Sequence, residues 1–341
     1  MPQQGSNRAI AIWLLVVAAL IFSMIILGGV TRLTRSGLSI VEWKPVAGIV
    51  PPLTQQQWQE SFDKYKQFPE YRKINRKMDV EDYKSIFWFE YSHRLLGRTI
   101  GLAFLIPFLI FLAQGKIAKA HAPKFIIMFV LGGLQGLLGW YMVKSGLVNR
   151  PHVSQYRLTA HLIAAISIYG YILWVAWGFL LPRPSRISTS HRKIMQYSLA
   201  LTALILLMIV SGGFVAGTKA GLAYNTFPTM NGYWIPDGLY SQQPWWINWF
   251  ENITTVQFNH RMIAWLLIAS VPAFWFFAMR TITEPRTRLA LHLLLAMLAI
   301  QVTLGITTLL FAVPVALAAT HQAGALVLFT IILFINRRLV S

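Results

Sequence analysis

The residues of this chain with the most chemistry to offer are its eight histidines. His121 and His191 sit in basic connecting segments, His152 in another connection, and His292 near the end of an apolar run. A solvated or interfacial imidazole accounts for these. His93, His161, His260 and His321 differ, because they fall near the ends of long apolar runs, one on every second run. An ionisable side chain inside such a run is costly and points to function. A hydrogen-bonded core histidine explains any one of them alone. Four at one depth, arranged as two pairs, ask for more. Two imidazoles facing each other across a helical bundle hold a haem iron from both sides, whereas copper or zinc more often recruits Cys, Met or carboxylate ligands as well. The residues at i+4 are Gly97, Ala165, Ala264 and Ala325. They share the histidine's helix face and are all small, which leaves room for a flat macrocycle. Close helix packing reads the same pattern differently.

The two pairs are unequal. Glu90 precedes His93 by three residues, on the same helix face, while the equivalent position before His260 is Gln257, which cannot titrate. An acid in one site and an amide in the other suggest that one haem reacts and the other is held. The competing reading makes Glu90 a structural ion-pair partner of Arg94 or Arg98. Arg94 and Arg261 each follow a histidine and are candidates for haem propionates, or for snorkelling to lipid headgroups.

These residues must be positioned by membrane-spanning helices. Of 341 residues, 56% are apolar and 12% charged, against roughly 25% charged in a soluble protein. A span needs about 20 mainly apolar residues, and eight are expected: 9–30, 86–113, 124–143, 157–181, 195–216, 257–279, 288–312 and 315–335. The fold class is therefore an all-α polytopic membrane protein. The absence of cysteine excludes disulfides, zinc–thiolate sites, iron–sulfur clusters and cysteine nucleophiles. The net charge of +19 is not concentrated into a nucleic-acid module. It reads instead as topology-setting Lys and Arg. With the N-terminus inside, the inner segments hold Arg8, then Lys116, Lys119 and Lys124, then Arg183, Arg186, Arg192 and Lys193. They continue with Arg280, Arg286 and Arg288, and end with Arg337 and Arg338, against the single acid Glu284. Both termini are thus expected inside. The long outer segment 31–85 interleaves seven acids among its bases, carries Trp43 and Trp58, and is expected to form short helices. Segment 217–256 is Gly-, Asn- and Pro-rich, with Trp245, Trp246 and Trp249 as an interfacial anchor.

The two halves echo each other in order. Gly28-Gly29 matches Gly212-Gly213, His93-Arg94 matches His260-Arg261, Gln135 and Gly139 match Gln301 and Gly305, and Ala160-His161 matches Thr320-His321. Four spans per half is an even number, so the halves point the same way, as a parallel repeat. The expected architecture is two parallel-repeat four-helix bundles, an N-terminal half 1–181 carrying the reactive site and a C-terminal half 182–341.

Several blocks resemble the haem A synthase family: Gly28-Gly29-Val30-Thr31-Arg32-Leu33-Thr34, Ser36-Gly37-Leu38-Ser39 and Glu90-Tyr91-Ser92-His93-Arg94. Gln67-Phe68-Pro69-Glu70-Tyr71 and Phe89-Glu90-Tyr91 resemble its mitochondrial and alphaproteobacterial branch. Some members carry a cysteine pair in their outer segments; this chain has none, which matches the cysteine-free branch and excludes thiol-relayed electron transfer. The resemblance covers nearly the whole chain and implies an oxidoreductase that converts haem O to haem A for terminal oxidases, oxidising the C8 methyl to a formyl group through an alcohol. It implies that His260 and His321 ligate a resident haem b, and that His93 and His161 frame the substrate haem, with Glu90 beside the reacting edge. The partners implied are haem O, a haem O synthase, an electron donor and the lipid bilayer, with no nucleic acid and self-association left open. A two-haem electron carrier explains both histidine pairs but gives the Glu90/Gln257 difference no purpose. A haem transporter predicts haem flux without change in the porphyrin. Eight residues before the first span are too few for a transit peptide, so a bacterial inner membrane is expected, with the mitochondrial inner membrane as the alternative.

Overall fold

The computed structural model describes residues 2–42, 47–147, 151–181 and 189–340, without the side chains of 2–6, 47 and 189–191. Trp43, Arg183, Arg186 and the side chain of His191 therefore lie outside the described residues. Ten α-helices follow one another: α1 Pro2–Leu33, α2 Gln55–Tyr65, α3 Pro69–Lys73, α4 Val80–Ala113, α5 Ala122–Leu147, α6 Gln155–Leu180, α7 Thr189–Thr218, α8 Ile253–Thr281, α9 Pro285–Leu310 and α10 Val315–Val340. No strand occurs among the described residues, only an isolated bridge between Met230 and Tyr233. Eight of the helices are long and apolar enough to cross a membrane, and they coincide with the eight expected spans. The chain is a multi-pass helical membrane protein.

The helices run past their apolar windows because polar residues cap them. Asp79 accepts from the Asp82 N–H at 2.8 Å and starts α4 six residues before the expected span. Asn252 does the same for α8 through Thr255 (3.1 Å), and Glu284 for α9 through Thr287 (2.7 Å). Each side chain satisfies an N–H that the first helical turn leaves unpaired. Segment 34–79 holds α2 and α3 as the sequence suggests, with Thr54 and Gln57 forming a capping box at the start of α2. Trp58, Phe62 and Tyr65 of α2 bury themselves against Tyr83, Ile86 and Phe87 of α4. Helix α9 closes at Leu310, two residues short of the expected end, because Ala312 and Val313 turn left-handed (φ +56° and +62°).

The described residues gather into two compact units. One comprises Val16–Ile168; the other comprises Met1–Leu15 with Tyr169–Ser341. In the second unit α7 packs on α8, α8 on α9, α9 on α10 and α10 back on α7. Its interior is apolar, with Phe274, Leu291, Leu294, Ile332 and Ile335 fully buried. A polar cluster ties α7 to α10 within it: Ser198 donates to Asn336 Oδ1 at 2.5 Å, and Asn336 Nδ2 donates to Thr202 at 2.7 Å. Hydrogen bonds between membrane helices contribute about 0.6–2 kcal/mol. Asn336→Leu is expected to lower stability in detergent by about that amount, read from the midpoint of thermal or denaturant unfolding. An unchanged midpoint would mean that Ser198 and Thr202 find replacement partners at no cost.

Candidate haem-binding and active site

In the unit Val16–Ile168, His93 comes from α4 and His161 from α6. The His93 ring lies against Gly28 of α1, where a Cβ would come within 3.0 Å of Nε2. His161 lies against Gly139 of α5, where a Cβ would come within 3.0 Å of Cε1. The other unit repeats the device. His260 of α8 faces Gly212 of α7 (3.4 Å) and His321 of α10 faces Gly305 of α9 (2.9 Å). A larger residue at Gly28, Gly139 or Gly305 would press on the imidazole, while Gly212 leaves its ring slightly more room. Gln135 Nε2 donates to the His161 carbonyl at 2.8 Å, and Gln301 Nε2 to the His321 carbonyl at 2.9 Å. Within each unit the two imidazoles are close enough for the charge of one to act on the other. The structure thus brings together the histidines that the sequence pairs.

The remaining polar atoms indicate what the pairs hold. His161 Nδ1, His321 Nδ1, Gln135 Oε1 and Gln301 Oε1 are buried with no hydrogen-bond partner among the described residues. No cluster of three or more metal-ligating side chains occurs among those residues. A bare metal ion would find too few donors. A haem needs only two axial imidazoles and supplies its other four ligands itself. The donor set fits haem.

The neighbours of the two pairs differ. Glu90, 3% exposed, accepts from Ser39 Oγ (2.8 Å), the Ile40 N–H (2.7 Å), and Arg94 Nε and Nη2 (3.0 and 2.5 Å). The ion pair with Arg94 that the structural reading expected is therefore present. Gln257, also 3% exposed, instead donates to the carbonyls of Ala220 (2.8 Å) and Tyr224 (3.3 Å). Arg94 also holds the Ile40 and Glu42 carbonyls, while Arg261 holds those of Tyr224, Pro228 and Thr229. Both guanidiniums fasten a long connection to its helix rather than snorkelling away. Arg261 keeps a buried Nε without a partner among the described residues.

Three features escaped the sequence reading. Ser211 Oγ lies 3.2 Å from His260 Nδ1, and the matching residue before Gly28 is Leu27, which has no hydroxyl. The four glycines were visible only as repeat markers. Glu70 of α3 is 4% exposed, and its Oε2 accepts from Tyr65 at 3.1 Å. Of the four histidines read as solvated, His152 is exposed, whereas His292 Nδ1 accepts from Trp275 Nε1 at 3.2 Å.

An all-α multi-pass membrane protein with two buried, glycine-seated histidine pairs has a donor set that fits haem. The profile of the cytochrome oxidase assembly protein family (COX15-CtaA) matches residues 11–333. The Heme A synthase of Nitrosospira multiformis is 56% identical over 98% of this chain and 94% of its own length. That of Nitrosomonas eutropha is 53% identical over 98% and 94%, and the Heme A synthase COX15 of Arabidopsis thaliana 43% identical over 98% and 75%. The chain belongs to the cytochrome oxidase assembly protein family.

The glycine seats give a graded expectation. Gly305→Ala puts a methyl inside contact distance of His321, an overpacking cost of about 1–3 kcal/mol. It should weaken haem retention about tenfold. Gly212→Ala meets His260 at ordinary van der Waals distance and should lose less than about half of its haem. Haem content of the purified variants decides, and equal loss in both would reject the seating argument. A second expectation concerns pH. Burial raises the Glu70 carboxyl to about 7, against the opposing Tyr65 hydrogen bond, and the Glu90 charge adds to the rise. A carboxylate raised in the fold stabilises below its ordinary value of about 4.5, and that stability is lost as pH rises through about 7. Glu70→Gln should therefore resist proteolysis in segment 34–79 better than the native chain at pH 8, with the gap closing at pH 5.

Proposed function

We propose that this chain makes haem A from haem O, with a resident haem b in the C-terminal half 182–341 and the substrate haem in the N-terminal half 1–181. The observation that carries the division is the carboxylate–amide exchange at Glu90 and Gln257, two equally buried positions under equivalent loops. His260 and His321 hold haem b. The Ser211 hydroxyl supports this, because it lies 3.2 Å from Nδ1 and can accept from Nδ1–H, the tautomer in which Nε2 carries the free lone pair for iron. His93 and His161 frame haem O. Haem supplies one-electron chemistry when bound.

The conversion of methyl to formyl is a four-electron oxidation: CH3 + H2O gives CHO + 4 H⁺ + 4 e⁻, by way of the alcohol. Glu90 contributes a negative charge fixed by Arg94, Ser39 and the Ile40 N–H. Such a carboxylate stabilises positive charge developing at the carbon being oxidised, or accepts its proton. Arg94 and Arg261 keep the loops closed over the two sites. Arg261 Nε remains available for a propionate oxygen. The four electrons require an acceptor, and haem O requires a haem O synthase. Two successive hydroxylations by dioxygen would call in addition for an electron donor, each step consuming O2, two electrons and two protons and releasing one water. The basic residues around Arg8, Lys116, Arg280 and Arg337 favour both termini inside, with the histidine-bearing ends of the helices toward the outer face of a bacterial inner membrane.

The test is purified protein supplied with haem O, dioxygen and a reductant system, with products identified by mass. Glu90→Gln should lower haem A formation by about a hundredfold or more, keep the low-spin haem b spectrum and accumulate haem O or its alcohol. Full turnover by a well-folded Glu90→Gln enzyme would remove the chemical role. His260→Met and His321→Met should each lose the bis-imidazole spectrum; its retention in both would contradict the assignment of haem b. Absence of haem A from active-site-intact protein, with electrons passing to an acceptor, would favour a two-haem electron carrier instead.

A further inference from the structure

The described part of the chain buries only two carboxylates, Glu90 and Glu70, and both belong to the unit Val16–Ile168. Glu90 is part of the site proposed above. Glu70 is assigned nothing by that reading. We propose that Glu70 is a proton-exchanging positioning residue for the N-terminal site, taking up or releasing a proton as the charge around Glu90 changes. The inference rests on the reading that Glu90 serves the reaction.

Burying a carboxylate in a connecting segment is expensive unless it is paired. Glu90 is surrounded by donors, whereas Glu70 has one side-chain donor among the described residues, the Tyr65 hydroxyl at 3.1 Å. Tyr65 is itself fully buried and accepts from Asn75 Nδ2 at 2.8 Å. Asn75–Tyr65–Glu70 is thus a short chain whose polarity ends on the carboxylate. The segment needs that chain to join α2 to α3, but a glutamine at 70 would accept from Tyr65 equally well. The fold requires an acceptor here; it does not require an acid.

The charged groups that act on Glu70 are few. From α4 comes Glu90, which opposes its ionisation, and from the turn after α1 comes Arg35, which favours it. From α2 comes Tyr65, whose own ionisation is pushed up by burial first and by Glu70 second. At the neighbouring end of α5, Lys144 lies over the Trp140 ring at 5.1 Å. Arg72 and Lys73, on α3 itself, are exposed, as is Ile74. Glu70 is joined to Glu90 by packed polar side chains: Tyr65 stacks on Tyr83 at 5.3 Å, Tyr83 donates to the Ser39 carbonyl at 3.3 Å, and Ser39 Oγ donates to Glu90 at 2.8 Å. The negative charge of Glu90 therefore opposes the ionisation of Glu70. Burial places the Glu70 titration at about 7, where it can switch during turnover. The half-reaction at the site releases protons, and a buried acid flanked by exposed residues is suited to passing them out.

The test combines two readouts on the full-length protein. Infrared difference spectra taken across a pH titration should show a protonated carboxyl band lost with a midpoint near 7, absent from Glu70→Gln. Haem A formation should show an inflection in the same range that Glu70→Gln abolishes while its haem b spectrum is unchanged. Tyr65→Phe removes the donor that favours the carboxylate, so it should move both midpoints upward. A Glu70→Gln rate–pH profile that superimposes on that of the native chain overturns the proposal. So does an infrared titration of the native chain that loses nothing on Glu70→Gln, a measurement that stands even if the variant is inactive. If Glu90→Gln turns over normally, the reading of the site fails instead, and that experiment does not involve Glu70.

Discussion

An imidazole within an apolar helix must meet two conditions at once. It needs space beside its ring for whatever it ligates, and its helix must come close enough to a neighbour to fix the ring. Glycine on the facing helix satisfies both, because a missing Cβ lets the imidazole edge rest on backbone. A Cβ at Gly28, Gly139, Gly212 or Gly305 would fall 3.0, 3.0, 3.4 and 2.9 Å from the facing imidazole, four instances of one solution. Two of the seats are then locked from the same helix: Gln135 stands four residues before Gly139, Gln301 four before Gly305, and each amide reaches the carbonyl of the seated histidine. Seat and lock share a helix face. Helix spacing, ring orientation and the orphaned Nδ1 atoms all follow from this arrangement.

A second device closes the other end of each site. After α1 and after α7 the chain turns through a left-handed residue, Arg35 (φ +56°) and Lys219 (φ +60°). Neither is glycine, and the conformation costs roughly 1–2 kcal/mol at an ordinary residue. Each turn folds the following segment over the next even-numbered histidine helix of its unit. The first brings donors to Glu90, from Ser39 and Ile40; the second brings carbonyls to Gln257, from Ala220 and Tyr224. The loop polarities are opposite. A carboxylate at 257 would face oxygen atoms, and an amide at 90 would direct N–H groups toward Arg94. Each loop is therefore matched to its residue, and the acid–amide difference is built into the backbone above it.

The spans, the histidine pairs and the Glu90–Gln257 contrast were legible in the sequence because each rests on residue type and spacing alone. The helix ends were not, since Asp79, Asn252 and Glu284 lie outside the apolar windows and act through single hydrogen bonds. Gly139 and Gln135 were visible as a repeated pattern, but a pattern does not say that one touches a ring and the other a carbonyl. Glu70 was hidden for a different reason. It lies in a polar segment with seven acids, where an exposed carboxylate is the ordinary expectation, and only the packing of α2 and α3 buries it. Ser211 could have been found by asking what stands beside each repeated glycine in the two halves.

The same contrast bears on how a holding site and an exchanging site can be made from one plan. A resident cofactor is retained when its ligands are preorganised, and Ser211 Oγ, 3.2 Å from Nδ1, restrains the His260 ring. The corresponding position beside His93 is Leu27, which offers no such restraint. On the division proposed above, the N-terminal pair lacks the hydroxyl beside its first histidine and is equipped with a fixed carboxylate, features suited to turnover. The C-terminal pair, with that hydroxyl and with an amide in place of the acid, is suited to keeping what it binds.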